Sequence, residues 1–417
     1  MPRKLFALFF LAWTLGAVAA PTEMRTWTDA RGRKVTARAV SMDGGNVVLE
    51  NAAGARLTVP LSNFSKQDQA YLRRHFSQNA AAAPWPPGEI TDAIKTKKDP
   101  RWSYHLYLPT SFHMNRQWPV MFIMSFGGGT KETLERYVKG AEFNGWILAT
   151  SVQSTNSFEH STEAIMAMVE DVRARLPVDD KRLYSSGCSG GARRAFHLAE
   201  RPEKPHLAGV LPCAAGDGDV PLSDKVIVYG LCGTDDFNRW DMACTFKEID
   251  NKDSRLRFYV GKHQWPDENL LADAITWHNG CCLRKATNSD KVLLAERDRF
   301  AQRLLAEIEQ RLDTEPEWAY EWALFLSRFP GPAATIGQAK RRLQALQRQP
   351  RIQLYAKALA DLDEFVNKHF TTNPGAHHIP SLNGTPEAKR DAEELAEKYK
   401  DTILVEIFRR VGKPVPM

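Results

Sequence analysis

The sequence predicts an α/β protein: a mostly parallel sheet with helices on both faces, a small β-barrel-like module before it and an all-helical segment after it. Three observations predict this. Between Trp102 and Gly280, short apolar runs alternate with helix-length amphipathic stretches, the pattern of a sheet crossed by helices. Upstream, short β-type runs are punctuated by turn residues every few positions. Downstream, apolar residues recur at helical spacing.

A chain of 417 residues, 43% hydrophobic and 25% charged, has room for two or three domains and is too apolar for wholesale disorder. Its 56 basic and 50 acidic side chains are interleaved, which leaves no basic stripe for nucleic acid.

The chain opens with Arg3 and Lys4, an apolar run from Leu5 to Val18, and Ala17-Val18-Ala19 before Ala20. That is the layout of a signal peptide over residues 1–19. The run is short for a membrane span of about 20 residues. The expectation is an exported protein, periplasmic or extracellular, with no membrane attachment after cleavage.

Residues 24–77 read as the small β module. Arg25–Thr28, Lys34–Val40, Val47–Glu50 and Arg56–Pro60 alternate with turn sequences such as Asp43-Gly44-Gly45. Trp27, Val48, Leu57 and Leu61 are the expected core. Ser65 can cap the helix that follows, with Asp68 favoured in its first turn by the helix dipole. These runs, with Trp27 at the start and Ser65–Tyr71 at the end, resemble an SLA1 homology domain 1. That resemblance implies an SH3-like module of about 50 residues; its ligand is not legible here. A Pro/Ala-rich linker follows over residues 78–90, where proline blocks helix and central strand.

Residues 91–285 are the expected catalytic domain. Val120–Ser125, Trp146–Ser151, Leu183–Ser186, Val210-Leu211, Val226–Leu231 and Arg257–Val260 read as strands, and Glu163–Leu176 as a helix with Ile165, Met168, Val169, Val172 and Leu176 on one face. Residues 286–417 are helical: Phe300, Leu304, Ile308 and Leu312 recur at four-residue steps, and Pro330-Gly331-Pro332 ends a helix.

The sharpest chemical signal is Gly187-Cys188-Ser189-Gly190-Gly191, a G-x-S-x-G sequence between a strand and a helix. A tight strand-to-helix turn exposes the Ser hydroxyl, and small neighbours permit the strained backbone. A neutral alcohol needs a base and an acid to orient that base. After the strand ending at Leu231, either Asp235 or Asp236 can serve as the acid, and the spacing from Gly233 selects Asp236. After the following strand, His263 is the candidate base, whereas His197 and His278 fall in helical patterns. Oxyanion donors are expected from Gly190 and from the loop holding Gly127 and Gly128. Trp240, Trp265 and Phe237 are candidates for an apolar acyl or aryl pocket. No metal cluster or phosphate loop appears, so no cofactor is expected.

The order Ser189, Asp236, His263, together with Leu106–Pro109 and the Gly127–Gly129 loop, resembles the α/β-hydrolase superfamily. Within it, the chain resembles secreted esterases of the polyhydroxybutyrate-depolymerase and feruloyl-esterase type over about 180 residues. The resemblance implies hydrolysis of a carboxylic ester, polymeric or plant-wall derived, through an acyl-enzyme. A serine peptidase and a non-catalytic binding scaffold are the rival readings. Two departures stand out: Cys188 beside the nucleophile, and Lys262 where Gly-Gly-His is commoner.

All six cysteines lie between Cys188 and Cys282, with no C-x-x-C spacing. Export permits bridges. Cys188, Cys213, Cys232 and Cys244 are the disulfide candidates, with Cys188 to Cys213 or Cys232 pinning the elbow; buried free thiols are the alternative.

Overall fold

The computed structural model describes residues 21–413 apart from 30–31, 44–45, 78–82, 202–205, 219–220, 288 and 371–384. The expected signal peptide therefore lies outside the described residues. The chain divides into two compact units: 1–87 with 110–117, and 88–109 with 118–417.

The first unit holds β1 (Arg25–Thr28), β2 (Lys34–Asp43), β3 (Asn46–Glu50) and β4 (Arg56–Pro60), an antiparallel sheet in sequence order, followed by α1 (Lys66–Ser77). Ser65 caps α1 by accepting the Asp68 N–H at 3.2 Å. Asp68 also accepts from Arg25 and from the Thr28 N–H, tying the helix to β1. Trp27 and Leu61 are buried, as the sequence predicts, but Val48 and Leu57 are not core residues. Val47 and Leu49 take that place, and Leu57 is 61% exposed. Successive strand residues face opposite sides, so an error of one position inverts the assignment at Val48; Leu57 shares a face with its partner Leu49 but lies on the edge strand β4, which has no buried residue.

The second unit is built on an eight-stranded sheet. Its elements are β5 (Ile94–Lys95), β6 (Ser103–Tyr107), β7 (Trp118–Ser125), α2 (Lys131–Asn144), β8 (Ile147–Ser151), α3 (Ser161–Arg175), β9 (Val178–Cys188), α4 (Gly190–Glu200), β10 (Gly209–Cys213), β11 (Ile227–Gly233), α5 (Arg239–Lys247), β12 (Arg255–Tyr259) and α6 (Glu268–Leu283). The strand order is β5-β6-β8-β7-β9-β10-β11-β12. From β8 to β12 every pair is parallel, while β5 and β6 add an antiparallel edge. These two strands escape the sequence reading because one is only two residues long and the other carries polar Ser103 and His105.

Strands β7 and β8 are buried throughout, which is why they read as continuous apolar runs rather than alternations. Met121 and Ile123 of β7 pack with Leu134, Tyr137 and Ala141 of α2 and with Leu271, Ala274 and Ile275 of α6. Residues of β7 between them face the opposite side, where α3 and α4 present Met168, Val169, Ala192 and Phe196 as buried residues. The expected layering, with helices on both faces, is what the chain forms.

Helices α7 (Lys291–Arg311), α8 (Pro316–Ser327), α9 (Ala333–Gln347), α10 (Pro350–His369), α11 (Pro386–Lys398) and α12 (Val405–Val411) complete the unit. Phe300, Leu304, Ile308, Trp322, Leu343 and Leu346 share one core with Leu283 of α6. A second core joins Cys232, Met242 and Phe258, at the β11–β12 side of the sheet, to Tyr355, Phe365, Ile407 and Phe408 of the later helices.

Candidate active site

The parallel strands β9, β11 and β12 deliver three polar side chains to one rim of the sheet. Ser189 follows β9 in a turn with φ 57° and ψ −123°, in a region that a residue with a Cβ rarely occupies. The neighbouring glycines make that turn possible. A Cβ on Gly187 would collide with the Gly191 backbone and approach the Met124 carbonyl oxygen to 2.6 Å. A Cβ on Gly191 would collide with the same carbonyl. The Ser189 N–H donates to the Cys213 carbonyl at 2.9 Å, so the elbow is anchored to β10 through the backbone.

Asp236 follows β11 and is fully buried. Its Oδ1 accepts the His263 Nδ1–H at 2.9 Å and the Asn238 N–H at 2.8 Å. His263 follows β12, and its Nε2 lies 2.9 Å from Ser189 Oγ. A carboxylate can only accept, so Nδ1 carries the proton and Nε2 is left to accept from the Ser hydroxyl. The three residues picked from the sequence are therefore brought into one hydrogen-bonded line. Asp235, the other candidate acid, turns the opposite way and pairs with Arg410 at 2.6 Å. His278 is buried in α6 with its ring against Tyr184, and burial pushes its pKa down to about 3. His197 is exposed on α4.

Gly190 is the first residue of α4, where backbone N–H groups have no partner within the helix and the helix dipole favours negative charge. The other expected donors divide. The Gly128 N–H donates to the Ser125 carbonyl at 3.0 Å, so it closes a turn and is not available to an oxyanion. Gly129 likewise donates to Ser151 at 2.8 Å. Gly127 and Phe126, both exposed, remain as candidates on that loop.

Of the three aromatic candidates, Phe237 lies beside the triad histidine, its exposed ring 4.0 Å, centroid to centroid, from the His263 imidazole. Trp240 does not. It stacks on Phe370 at 4.1 Å and packs in the core that joins α5 to α10–α12. Trp265 packs edge-on against Tyr137 at 6.0 Å and leans on the central core. An aromatic residue is a common core filler, and the sequence alone does not separate that use from a pocket wall.

The disulfide expectation is corrected: all six cysteines are free thiols. Cys188 and Cys213 are in register on neighbouring strands, yet both are buried in one apolar cluster. Burial pushes the Cys188 thiol up to about 12 and raises Cys213 and Cys232 well above the ordinary value. Oxidation proceeds through the thiolate, which this environment suppresses. The Ser189–Cys213 backbone hydrogen bond supplies the tie that a bridge was expected to provide.

Sequence reading missed Asn156. Its carboxamide lies against the Cα of Gly190, and its N–H donates to the Phe126 carbonyl at 2.9 Å. It sits in the irregular segment after β8, where no motif marks it.

A nucleophile elbow at the end of a parallel strand, with acid and histidine following later strands in that order, is the α/β-hydrolase arrangement. The first module matches the family model of SLA1 homology domain 1, SHD1, over residues 17–80. No curated protein matches the chain. Similar solved structures include a ferulic acid esterase, with 15% identity, 46% of this chain and 97% of that chain covered, and a TM-score of 0.37. The feruloyl esterase module from Clostridium thermocellum, complexed with sinapinate, has 14% identity, 48% and 92% coverage, and a TM-score of 0.36. An arylesterase has 10% identity, 52% and 92% coverage, and a TM-score of 0.36.

Proposed function

We propose that this chain hydrolyses carboxylic esters through an acyl-serine, with Ser189 as nucleophile, His263 as base and then acid, and Asp236 as the carboxylate that orients the imidazole. The observation that carries the reading is the unbroken line Asp236–His263–Ser189, with both links at 2.9 Å, at the C-terminal rim of a parallel sheet.

The chemistry follows from charge development. His263 Nε2 takes the Ser189 hydroxyl proton as Oγ bonds to the acyl carbon, and the carbonyl π pair moves onto oxygen. That oxyanion is received by the Gly190 N–H, with a second donor from the Phe126–Gly127 loop. The C–O bond to the alcohol then breaks, its electron pair leaves with the alcohol oxygen, and the imidazolium returns the proton to it. Water repeats the sequence on the acyl-serine and regenerates the hydroxyl. Asp236, buried and negative, stabilises the imidazolium in both halves.

Phe237 and Phe126 expose apolar surface next to this machinery, which suits a short acyl or aryl group. An ester carried by a polymer or a plant-wall component is the proposed natural substrate. Export to the periplasm or outside the cell is proposed with it, on the strength of Arg3, Lys4 and the Leu5–Val18 run.

The test is a panel of activated esters and matched amides, with a labelled serine-directed phosphonate and peptide mapping. Ester turnover, labelling at Ser189 and loss of both in Ser189→Ala are expected. Amide turnover at comparable rates would make the enzyme a peptidase. A chain inert to esters, amides and phosphonate would instead be a binding scaffold.

A further inference from the structure

The loop that carries Asp236 is held from outside by the end of the chain. Asp235, its neighbour, accepts from Arg410 Nη1 of α12 at 2.6 Å. The Asp235 N–H donates to the Gly261 carbonyl at 2.8 Å, two residues before His263. Arg239, which opens α5 immediately after the loop, is fully buried. Its Nη1 donates to the Thr234 carbonyl at 2.5 Å and reaches the Arg410 carbonyl at 3.4 Å, and its Nη2 donates to the Lys413 carbonyl. Its N–H donates to the Asp236 carbonyl at 3.1 Å. One buried guanidinium thus spans the start of the acid loop and the last turn of α12.

Apolar packing makes this contact firm. Ile407, Phe408 and Val411 of α12 share a core with Cys232, Met242 and Phe258. Gly412, just past α12, comes so close to α11 that a Cβ there would lie 2.8 Å from the Ala388 carbonyl oxygen. The Arg410–Asp235 pair is part-exposed, with side chains 40% and 20% accessible, and such pairs add little to global stability. What it fixes is direction. Asp235 and Asp236 are adjacent carboxylates on one turn; Arg410 draws the first outward, and the second is left facing His263.

We propose that α12 is a strut for the catalytic acid, with Arg410 and Arg239 as positioning residues that act through Asp235 and Thr234 on the Asp236–His263 geometry. The proposal rests on the triad reading above. A catalytic group displaced by about 1 Å can cost on the order of 100-fold in rate, so a small loosening of this loop is visible in turnover.

The experiment uses the full chain and its Arg410→Ala, Asp235→Ala and Arg410→Lys variants. Two quantities are read: kcat and KM on an activated ester, and the downfield proton resonance of the His263 Nδ1–H···Asp236 hydrogen bond. Arg410→Ala and Asp235→Ala should each lower kcat by about 10- to 100-fold with KM little changed, and should weaken the resonance. The double variant should be no worse than either single one, because both remove the same pair. Arg410→Lys should restore most of kcat. Normal kcat and an unchanged resonance in Asp235→Ala, which leaves α12 intact, would overturn the strut, as would a fall in melting temperature alone in Arg410→Ala. A wild-type chain that is inert would sink the triad reading separately; the resonance needs no turnover and still decides the strut.

Discussion

Gly190 lies so close to Asn156 that a methyl group on its Cα would overlap the Asn156 carboxamide. The same Asn156 holds the Phe126 carbonyl through its N–H at 2.9 Å. One residue therefore touches both segments proposed to supply the oxyanion donors. Gly190→Ala must push Asn156 or the elbow aside. Its kcat should fall by about 100-fold, the scale of losing one oxyanion donor. Adding Asn156→Gly should recover part of that loss, because the space is then open. Steady-state kinetics on the three proteins check this.

Asp236→Asn should lower kcat by about 10,000-fold while the fold persists, since the amide favours the wrong imidazole tautomer. His278→Gln should leave kcat near the wild-type value, because that ring belongs to the packing around Tyr184 and Gly209. A reversal of these two outcomes in an ester assay would remove the acid and base assignments.

Stability should depend on pH through His278. Its pKa in the folded chain is lowered to about 3 by burial, against an ordinary 6.5. Between those values the unfolded chain binds more protons, so stability is complete above about pH 6.5 and falls as pH drops towards 3. The slope contributed is about 1.4 kcal/mol per pH unit. Asp273 works in the opposite sense. Burial raises it to about 6 from 3.8, so its contribution diminishes as pH rises through that window. Between about pH 6 and pH 4 the two slopes nearly cancel, so denaturant midpoints should stay nearly level there in the wild type and should rise as pH falls in His278→Gln.

Phe237 and Trp240 should separate in their effects. Phe237→Ala removes an exposed ring beside His263 and should raise KM for aryl esters with little change in melting temperature. Trp240→Ala opens a hole against Phe370 and should cost about 3 kcal/mol of stability. Parallel KM series and thermal melts distinguish them.

Six thiols should react per chain when the protein is unfolded without reductant. In the native state, Cys188, Cys213, Cys232 and Cys281 should react slowly because they are buried, with Cys244 and Cys282 ahead of them. A mass deficit in the unfolded sample would reveal a bridge.

Most of the central sheet was legible because its strands are buried on both faces and its helices on one. That difference in burial writes different periods into the chain, as β7 and α3 illustrate. Strands β5 and β6 were not legible: β5 is a two-residue edge strand, and in β6 the buried Tyr104 and Leu106 alternate with Ser103 and His105 over only five residues. In the first module the strands are legible but the face that each residue takes is not: Val47 and Leu49, not Val48, are core residues of β3, and Leu57 is exposed because it lies on the edge strand β4.

The sequence by itself determined the local geometry: where strands end, where the Ser189 turn must be small on both sides, and the order in which acid and histidine follow. These depend on residues a few positions apart, whose sterics act wherever the segment lies. Only the tertiary structure decided which partner each side chain meets. It paired Asp235 with Arg410, left Cys188 a thiol, set Trp240 on Phe370 and closed the Gly128 N–H into a turn. The physical reason is that each of these outcomes is fixed by which surface or backbone group arrives beside the residue. Arg410, 175 residues beyond Asp235, leaves no trace in the local pattern around it.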